Sequence, residues 1–272
     1  HLDIAAANVS SNTVSILRGI GDGTFAPAVN KAAGVAPLSV AAADRDGDGD
    51  LDLAVTHRDA ADVGSLKNNG GLSFSAPVGY AVQALPYSVT AADTDEDGDS
   101  DLVVCNTLAN SISVLLNKGN ATFSPAVQLS PGGYPTFLAA GDLNGDGHLD
   151  LAVGNDALDS VYVLLAKWVP RSADSNRNGL PDECEVDCNG NGNDDSIDIA
   201  QGVSKDCNLN GVPDKCDLVV PDFAGFDAAR TYRVSGTTPF CAAAGDFDGD
   251  GDLDLAAGVV LKNEVSVLRN GG

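Results

Sequence analysis

The strongest constraint on the fold of this chain is an acidic nine-residue loop that recurs at an interval of 49 residues. Asp52, Asp101 and Asp150 close the first three copies of the loop, and Asp254 closes a fourth. A fixed period of this length indicates that each period is one supersecondary unit, which buries its apolar face against its neighbours. The sequence therefore predicts a repeat protein.

Each copy of the loop has the pattern of a site for a hard cation. Oxygen-bearing side chains occupy positions 1, 3, 5 and 9, and glycine always occupies position 6. Alternate carboxylates converge on a cation, the backbone carbonyl at position 7 offers a further oxygen, and glycine permits the sharp turn. The residues at positions 1, 3, 5, 7 and 9 are Asp44, Asp46, Asp48, Asp50 and Asp52; Asp93, Asp95, Asp97, Asp99 and Asp101; Asp142, Asn144, Asp146, His148 and Asp150; and Asp246, Asp248, Asp250, Asp252 and Asp254.

These loops predict four calcium sites rather than solvated acidic turns, because a turn requires only one or two such residues. Magnesium fits less well, since it keeps several waters and avoids all-protein cages. The four loops hold nineteen of the 39 acids, so we attribute much of the net charge of −24 to metal binding. Without cations the loops would repel themselves, and the apo state is expected to be loosened.

Each period also contains four short apolar runs with the composition of β-strands. One run enters the acidic loop (39–43), a second leaves it (51–55), a third alternates (112–116), and a fourth begins near a phenylalanine (122–127). No segment shows sustained helical periodicity. Four strands per period predict an all-β fold, a β-propeller of four-stranded antiparallel blades, with a solenoid as the competing repeat architecture.

The two ends of the chain fall inside a period, so the first and last blades are expected to be incomplete. His1-Leu2-Asp3 matches the end of the third loop, which predicts that the chain begins within a fifth copy. The small residues of the run that enters each loop suit the innermost strand, where blades converge. The propeller is predicted to comprise 1–167 and 222–272.

The segment 168–221 interrupts the period and carries a second family of the loop. It lies between the third strand of the fourth blade and the phenylalanine-led strand of that blade, which is expected near 223–226. It contains three copies, each with an acid at position 12 that completes a ligand set of the EF-hand type. Their predicted ligands are Asp174, Asn176, Asn178, Leu180, Asp182 and Glu185; Asp187, Asn189, Asn191, Asn193, Asp195 and Asp198; and Asp206, Asn208, Asn210, Val212, Asp214 and Asp217. The sequence thus predicts up to three further calcium sites, with weaker affinity because asparagine lowers the ligand charge.

Four of the six cysteines lie in this inserted segment and are disulfide candidates: Cys184, Cys188, Cys207 and Cys216. They allow three pairings, among which Cys207 with Cys216 is favoured because these two residues bracket one loop. Cys105 and Cys241 lie on predicted strands of different blades, and we expect both to be buried free thiols.

The motif that begins at Ala140-Gly141-Asp142 and ends at Gly154, and recurs from Ala244 to Gly258, resembles the FG-GAP/VCBS repeat, which is also found in integrin α-subunit heads. The resemblance implies that each calcium holds the turn between the first two strands of a blade, with a ligand face on the opposite rim. Such propellers usually close with seven blades, so the chain is expected to be part of a propeller or to be completed by other copies. The inserted segment resembles thrombospondin type 3 repeats, with some likeness to dockerin.

Charge and cysteine usage restrict the location and partners of the chain. Only 15 lysines and arginines are present and none are clustered, so nucleic acid is not an expected partner. No apolar run is long enough to span a bilayer. Clustered cysteines indicate an oxidising compartment, and many calcium sites of modest affinity suit the millimolar calcium outside cells. We therefore expect an extracellular or cell-surface protein.

Residues typical of catalysis are scarce, and the chain is not expected to be an enzyme. His57 stands alone and is expected at the surface, while the acids are assigned to metal. The predicted function is a structural, adhesive or assembly role with structural calcium, and unpaired edges of the end blades could build a fibre. The expected partners are other copies of the chain, or a cell-surface or matrix protein or glycan. The alternatives are a carbohydrate- or protein-binding module that uses Trp168, and the propeller part of a secreted hydrolase or lyase.

Overall fold

The computed structural model describes residues 1–171, 220–226, 230–234, 239–259 and 264–270. The chain divides into two compact units, one formed by 1–166 with 226–272 and the other by 167–225. The described residues form twenty strands and one 3-10 turn, Asp156–Leu158. No helix among these residues is long and apolar enough to cross a membrane.

Eighteen of the strands form five antiparallel sheets, which follow one another along the chain. The first sheet has three strands, the next three have four each, and the last has three. The strands of the five sheets are β1 (Ile4–Asn8), β2 (Thr13–Leu17) and β3 (Val29–Ala32); β4 (Pro37–Ala43), β5 (Asp52–His57), β6 (Asp62–Leu66) and β7 (Val78–Ala81); β8 (Pro86–Ala92), β9 (Asp101–Asn106), β10 (Ser111–Leu115) and β11 (Val127–Leu129); β12 (Pro135–Gly141), β13 (Asp150–Asn155), β14 (Ser160–Leu164) and β17 (Arg230–Arg233); and β18 (Pro239–Gly245), β19 (Asp254–Val259) and β20 (Glu264–Leu268). β15 (Ala166–Arg171) and β16 (Val220–Phe226) form a separate two-stranded sheet. The predicted all-β fold of four-stranded antiparallel blades, with incomplete first and last blades, is confirmed, and the sheets are called blades 1 to 5 below.

The hydrophobic core lies between adjacent blades, because the second strands of the three middle blades, β5, β9 and β13, are buried along their whole length. All residues of β9 are buried. Leu102 and Val104 pack toward blade 2, whereas Val103 and Cys105 pack toward blade 4. This division follows from the two-residue period of a strand, which sends alternate side chains to opposite faces. The first strands β4, β8, β12 and β18 contact one another in turn, and their alanines permit this close approach.

The fourth strand of each blade differs in position from the sequence expectation. It begins at Val29, Val78 and Val127, after the phenylalanine run rather than within it. Each phenylalanine makes only one isolated bridge, as Phe123 does with Asn117. A proline follows each phenylalanine within three residues, and proline lacks the N–H that a longer ladder would need.

The fourth blade departs further from the sequence expectation. Its fourth strand was predicted near 223–226, but these residues belong to β16, which pairs with β15. β17 pairs with β14 and completes the blade instead. The prediction was wrong because Phe223 and Phe226 resemble the phenylalanine run of the other blades, whereas the pairing strand has the unrelated sequence of residues 230–233.

A side-chain clamp joins the loop of one blade to the third strand of the next. Asn117 Nδ2 of blade 3 donates to the carbonyl of Arg45 in the loop of blade 2, at 2.9 Å. Asn270 of blade 5 makes the same bond to the carbonyl of Leu143 in blade 4, at 2.8 Å. The equivalent residue of blade 4 is Ala166, whose side chain has no donor, so this clamp is absent between blades 3 and 4.

The two cysteines of the blades differ in exposure. Cys105 is fully buried, as expected, but Cys241 is exposed, so the expectation that both thiols are buried was wrong. Cys241 belongs to the last blade of the described chain, whose Val265 and Val267 are also exposed. Burial raises the pKa of the Cys105 thiol, which suppresses the reactive thiolate.

Thiol labelling is expected to distinguish these two cysteines. A maleimide should modify Cys241 in the native protein and should modify Cys105 only after addition of denaturant, because only the exposed thiol is accessible to the reagent. Peptide mass spectrometry with and without denaturant measures both sites in one sample. Rapid native labelling of Cys105 would contradict the packing between blades 3 and 4.

Candidate metal centres

The four acidic loops occupy the same place in their blades, between the first and second strands. They join β4 to β5, β8 to β9, β12 to β13 and β18 to β19, which is the place implied by the repeat resemblance. The glycine at position 6 has a positive φ in every loop, for example +89° at Gly49 and +93° at Gly98. A Cβ at either glycine would meet no atom within 4 Å, so the backbone conformation and not the space requires glycine.

The aspartate at position 1 folds each loop through hydrogen bonds to the backbone. Asp44 accepts from the N–H of Gly47 through Oδ1 and from the N–H of Gly49 through Oδ2, both at 2.9 Å. Asp142 repeats both bonds, at 2.8 and 2.9 Å. Asp246 does so at 2.6 and 3.1 Å. The side chains therefore already point inward from a closed turn, which is the arrangement that a bound cation requires.

The aspartate at position 9 is fully buried in all four loops and ties the loop to the third strand of its blade. Asp52 Oδ2 accepts from the N–H of Arg45 at 3.3 Å, and its Oδ1 accepts from the N–H of Asn68 at 2.7 Å. The other blades repeat this pair of bonds: Asp101 with Thr94 and Asn117, Asp150 with Leu143 and Ala166, and Asp254 with Phe247 and Asn270. From the sequence, this position was predicted to be a metal ligand, and its bracing role was not predicted. The constant separation of sixteen residues between the aspartate and the residue that donates its N–H was available as a signal.

Three of the loops bring three carboxylates together. The ligand atoms of Asp44, Asp46 and Asp48 lie within 4.8 Å of one another, and two other triplets do the same. These are Asp93, Asp95 and Asp101, and Asp246, Asp248 and Asp250. Carboxylate oxygens at this spacing are the donor set that calcium prefers.

The third loop and the position-7 side chains lie outside these triplets. Asn144 replaces an acid in the third loop, where its amide donates to Asp146 Oδ2 at 2.9 Å. At position 7, His148 directs its ring away from its own loop and lies 2.8 Å from Glu96 Oε1 in the second loop. This contact raises the pKa of His148. Position 7 can thus offer its backbone carbonyl while its side chain makes other contacts.

The second loop has the least compensated charge of the described loops. Asp93 Oδ1 and Asp95 Oδ1 are buried and have no hydrogen-bond partner. Burial, together with the charges of Asp101 and Asp97, raises the pKa of Asp95 to about 6. Asp46 occupies the same position of the first loop, yet its pKa is lowered by a hydrogen bond from Lys67. A buried carboxylate without a partner is unfavourable, so the second loop is the one that gains most from a cation.

On the opposite rim, the position of His57 contradicts the expectation from sequence. His57 was expected at the surface, but it is only 5% exposed. Its Nδ1 lies 2.5 Å from Asp62 Oδ1, and its Nε2 lies 2.5 Å from the carbonyl oxygen of Ala33. Asn106 ends the second strand of blade 3 at the equivalent position and contacts Ser111 instead. The histidine is thus a polar link inside the propeller and is not available as a surface group.

The predictions for the inserted segment lie outside the described residues. They comprise the three loops between Asp174 and Asp217 and the four cysteines between Cys184 and Cys216. They stay predictions.

Comparison with known proteins concerns both the repeat and the architecture. A family model described as an FG-GAP-like repeat matches residues 1–55, 46–104 and 93–153, which together exceed half of the chain. No curated protein matches the chain.

Several solved structures resemble the chain at low identity. A catalytically inactive virginiamycin B lyase from Staphylococcus aureus, with quinupristin, is 11% identical over 99% of this chain and 67% of that chain, with a TM-score of 0.46. A lectin from Agrocybe aegerita that recognises non-reducing terminal N-acetylglucosamine is 17% identical over 94% of this chain and 60% of that chain, with a TM-score of 0.44. Hydrazine synthase from Kuenenia stuttgartiensis is 14% identical over 98% of this chain and 92% of that chain, with a TM-score of 0.40. At these identities the likeness concerns architecture alone.

Proposed function

The chain belongs to the FG-GAP-like repeat family, and from the geometry of its loops we propose that it is a calcium-binding β-propeller with a structural or adhesive role outside the cell. The calcium would be structural rather than catalytic. It would neutralise the carboxylates that each blade gathers at one rim, and so fix the turn between the first and second strands. The role of the chain would then be to present a stable surface on the remaining faces of the propeller.

The observation that carries this proposal is the second loop. Asp93, Asp95 and Asp101 place ligand atoms within 4.8 Å of one another. Two of their oxygens, Asp93 Oδ1 and Asp95 Oδ1, are buried without a hydrogen-bond partner. Buried polar groups of a folded protein are nearly always paired, so buried carboxylate oxygens that lie close together without a hydrogen-bond partner favour the binding of a cation.

Calcium is the cation that best fits this donor set. The carboxylates at positions 1, 3 and 5, the carbonyl at position 7 and the carboxylate at position 9 would supply only oxygen, which suits calcium and magnesium over zinc or copper. Magnesium demands near-octahedral geometry and retains waters, whereas calcium tolerates the crowded, irregular set that a single loop offers. The buried aspartate at position 9 can bind the cation and accept its two backbone hydrogen bonds at the same time, because each carboxylate oxygen has two lone pairs.

Several observations support a role in structure or adhesion over catalysis. The acids are concentrated in the loops, His57 is held between Asp62 and a backbone carbonyl, and Cys105 is buried with a suppressed thiolate. FG-GAP repeats are typically extracellular, where calcium is abundant. The partners that we propose are other copies of the chain, or a cell-surface or matrix protein or glycan, bound away from the rim of the calcium loops.

Calcium binding is expected to be direct, selective and lost with the loop carboxylates. Isothermal titration of the metal-free protein should show calcium binding that equimolar magnesium does not prevent, because the loops favour the larger ion. A variant with Asp93→Asn and Asp95→Asn should bind one calcium fewer, whereas Asp59→Asn, which alters an exposed acid paired with Arg58, should bind as many as the wild type. Equal binding by all three proteins, or no binding by any, would overturn the proposal.

A further inference from the structure

Basic side chains reach the loops of some blades but not of others. The residue that follows the third strand by one is Lys67 in blade 2, Leu116 in blade 3, Leu165 in blade 4 and Arg269 in blade 5. This position lies next to the acidic loop of the same blade, because the following residue donates its N–H to the aspartate at position 9. A cation at this position therefore faces the carboxylates, whereas a leucine does not compensate them.

In blade 2 the lysine lies among the predicted ligands themselves. Lys67 Nζ forms an ion pair with Asp46 Oδ2, at position 3 of the loop. It also lies 3.6 Å from Asp48 Oδ2, at position 5. The side chain of Asp46 is only 5% exposed, and its Oδ1 is buried without a hydrogen-bond partner. The ammonium group thus neutralises one side of a carboxylate whose other oxygen still faces the loop.

In blade 5 the same position carries a weaker version of this contact. Arg269 Nη1 lies 3.6 Å from Asp248 Oδ2, also at position 3. The arginine side chain is 74% exposed, whereas that of Lys67 is 43% exposed, so solvent screens the arginine pair more strongly. Leu116 and Leu165 instead pack against the cores between blades.

We propose that Lys67 is a built-in counter-ion of the first loop, which competes with calcium and makes the loops of this chain unequal in calcium affinity. This inference rests on the proposed calcium-binding function and deepens it. To bind calcium, the first loop must release the ammonium group from Asp46 and Asp48 or accept the two positive charges of the calcium ion beside it. Among the described residues, the predicted ligands of the second loop have no such competitor, so the second loop fills at a lower calcium concentration than the first.

The same contact gives the first loop a different apo state. With Lys67 in place, the carboxylates at positions 3 and 5 are partly compensated before any metal arrives. The first loop would therefore keep its fold at low calcium, while the second loop would depend on the ion. A chain with both kinds of loop would retain part of its structure as calcium falls and would respond to calcium in stages rather than at one concentration.

The experiment follows the backbone amide signals of Gly49 and Gly98 by NMR during a calcium titration of the full chain. In the wild type, the Gly98 signal should respond at a lower calcium concentration than that of Gly49. In Lys67→Gln, the Gly49 midpoint should fall by about fivefold, which corresponds to the loss of one exposed ion pair, and the Gly98 midpoint should not change. Lys31→Gln removes an equal charge from β3 and should leave both midpoints unchanged.

Two results separate failure of this inference from failure of the proposed function. If Gly49 and Gly98 respond to calcium but Lys67→Gln leaves the Gly49 midpoint where it was, Lys67 is not a competitor. If neither amide responds in the wild type, calcium does not bind these loops and the proposed function fails as well. A second readout without metal is thermal unfolding in chelator, where Lys67→Gln should unfold at a lower temperature than Lys31→Gln because its loop has lost its counter-ion.

Discussion

Removal of calcium is expected to lower the melting temperature of this chain by roughly 10 °C or more. A ligand that binds only the folded state stabilises it by about 2.7 kcal/mol at 100 times its Kd, and several loops would contribute. Metal-free loops would also leave triplets of carboxylates within 4.8 Å of one another. Thermal unfolding followed by circular dichroism, in excess calcium and in excess chelator, measures the difference.

The substitution Asp95→Asn tests this expectation at a single blade loop. It should stabilise the metal-free protein and reduce the stabilisation that calcium provides. Burial raises the pKa of Asp95 to about 6, so at pH 7.5 and without metal its ionised form destabilises the fold. Asp95→Asn removes that charge and should raise the melting temperature in chelator. The same variant should gain less from calcium than the wild type, because it has lost a ligand. A chelator-insensitive wild type, or an Asp95→Asn variant that is destabilised in chelator, would contradict the assignment.

Replacement of Asp52 by alanine is expected to destabilise the chain by about 3–5 kcal/mol. Asp52 is fully buried and accepts the buried N–H groups of Arg45 and Asn68, which would lose their partners. It is also the ion-pair partner of Arg45, at 3.9 Å, and the Arg45 side chain is only 1% exposed. Burial lowers the pKa of Arg45, and the charge of Asp52 opposes that shift. Removal of the carboxylate therefore removes the charge that does most to compensate this buried cation.

Urea unfolding in chelator, at low temperature, isolates this bracing role from any role in metal binding. Asp3→Ala is the matched control, because Asp3 holds the same loop position but is exposed and makes one bond, to the N–H of Gly19 at 2.9 Å. The control should lose less than about 1 kcal/mol. Equal losses in the two variants would show that the buried brace contributes little, and that position 9 matters only as a ligand.

The sequence predicts this fold well because the interval between the acidic loops and the alternation of side chains along the strands recur in every repeat. The fixed interval of the acidic loop identified the blades, and the apolar run on each side of it identified the first two strands. Alternate residues such as Val103 and Val104 then pack toward different neighbours, as the strand period requires. These features are local and recur in each repeat, so the sequence shows each of them several times.

The features that the sequence did not reveal depend on single residues that differ between blades. His57 replaces the asparagine found at Asn106, and its burial depends on Asp62 across a hairpin and on a carbonyl at Ala33. The clamp from Asn117 to Arg45 spans 72 residues of sequence. Lys67 belongs to a strand end that carries leucine in the next two blades. Such contacts follow from the packing of one blade on another, which no pattern within a period specifies.

Because the clamp is absent at Ala166, this position is a favourable place for an insertion into the chain. The chain leaves the propeller immediately after this residue, since the second unit begins at residue 167. At Asn117 or Asn270 an insertion would displace a side chain that bonds to the preceding blade, but at Ala166 it displaces none. Loop closure becomes only slowly more unfavourable with length, so a long insertion at this site is tolerated thermodynamically. A blade junction that lacks this clamp is thus a natural acceptor site for acquired modules, and the same site in the chain is where a foreign domain could be grafted by design.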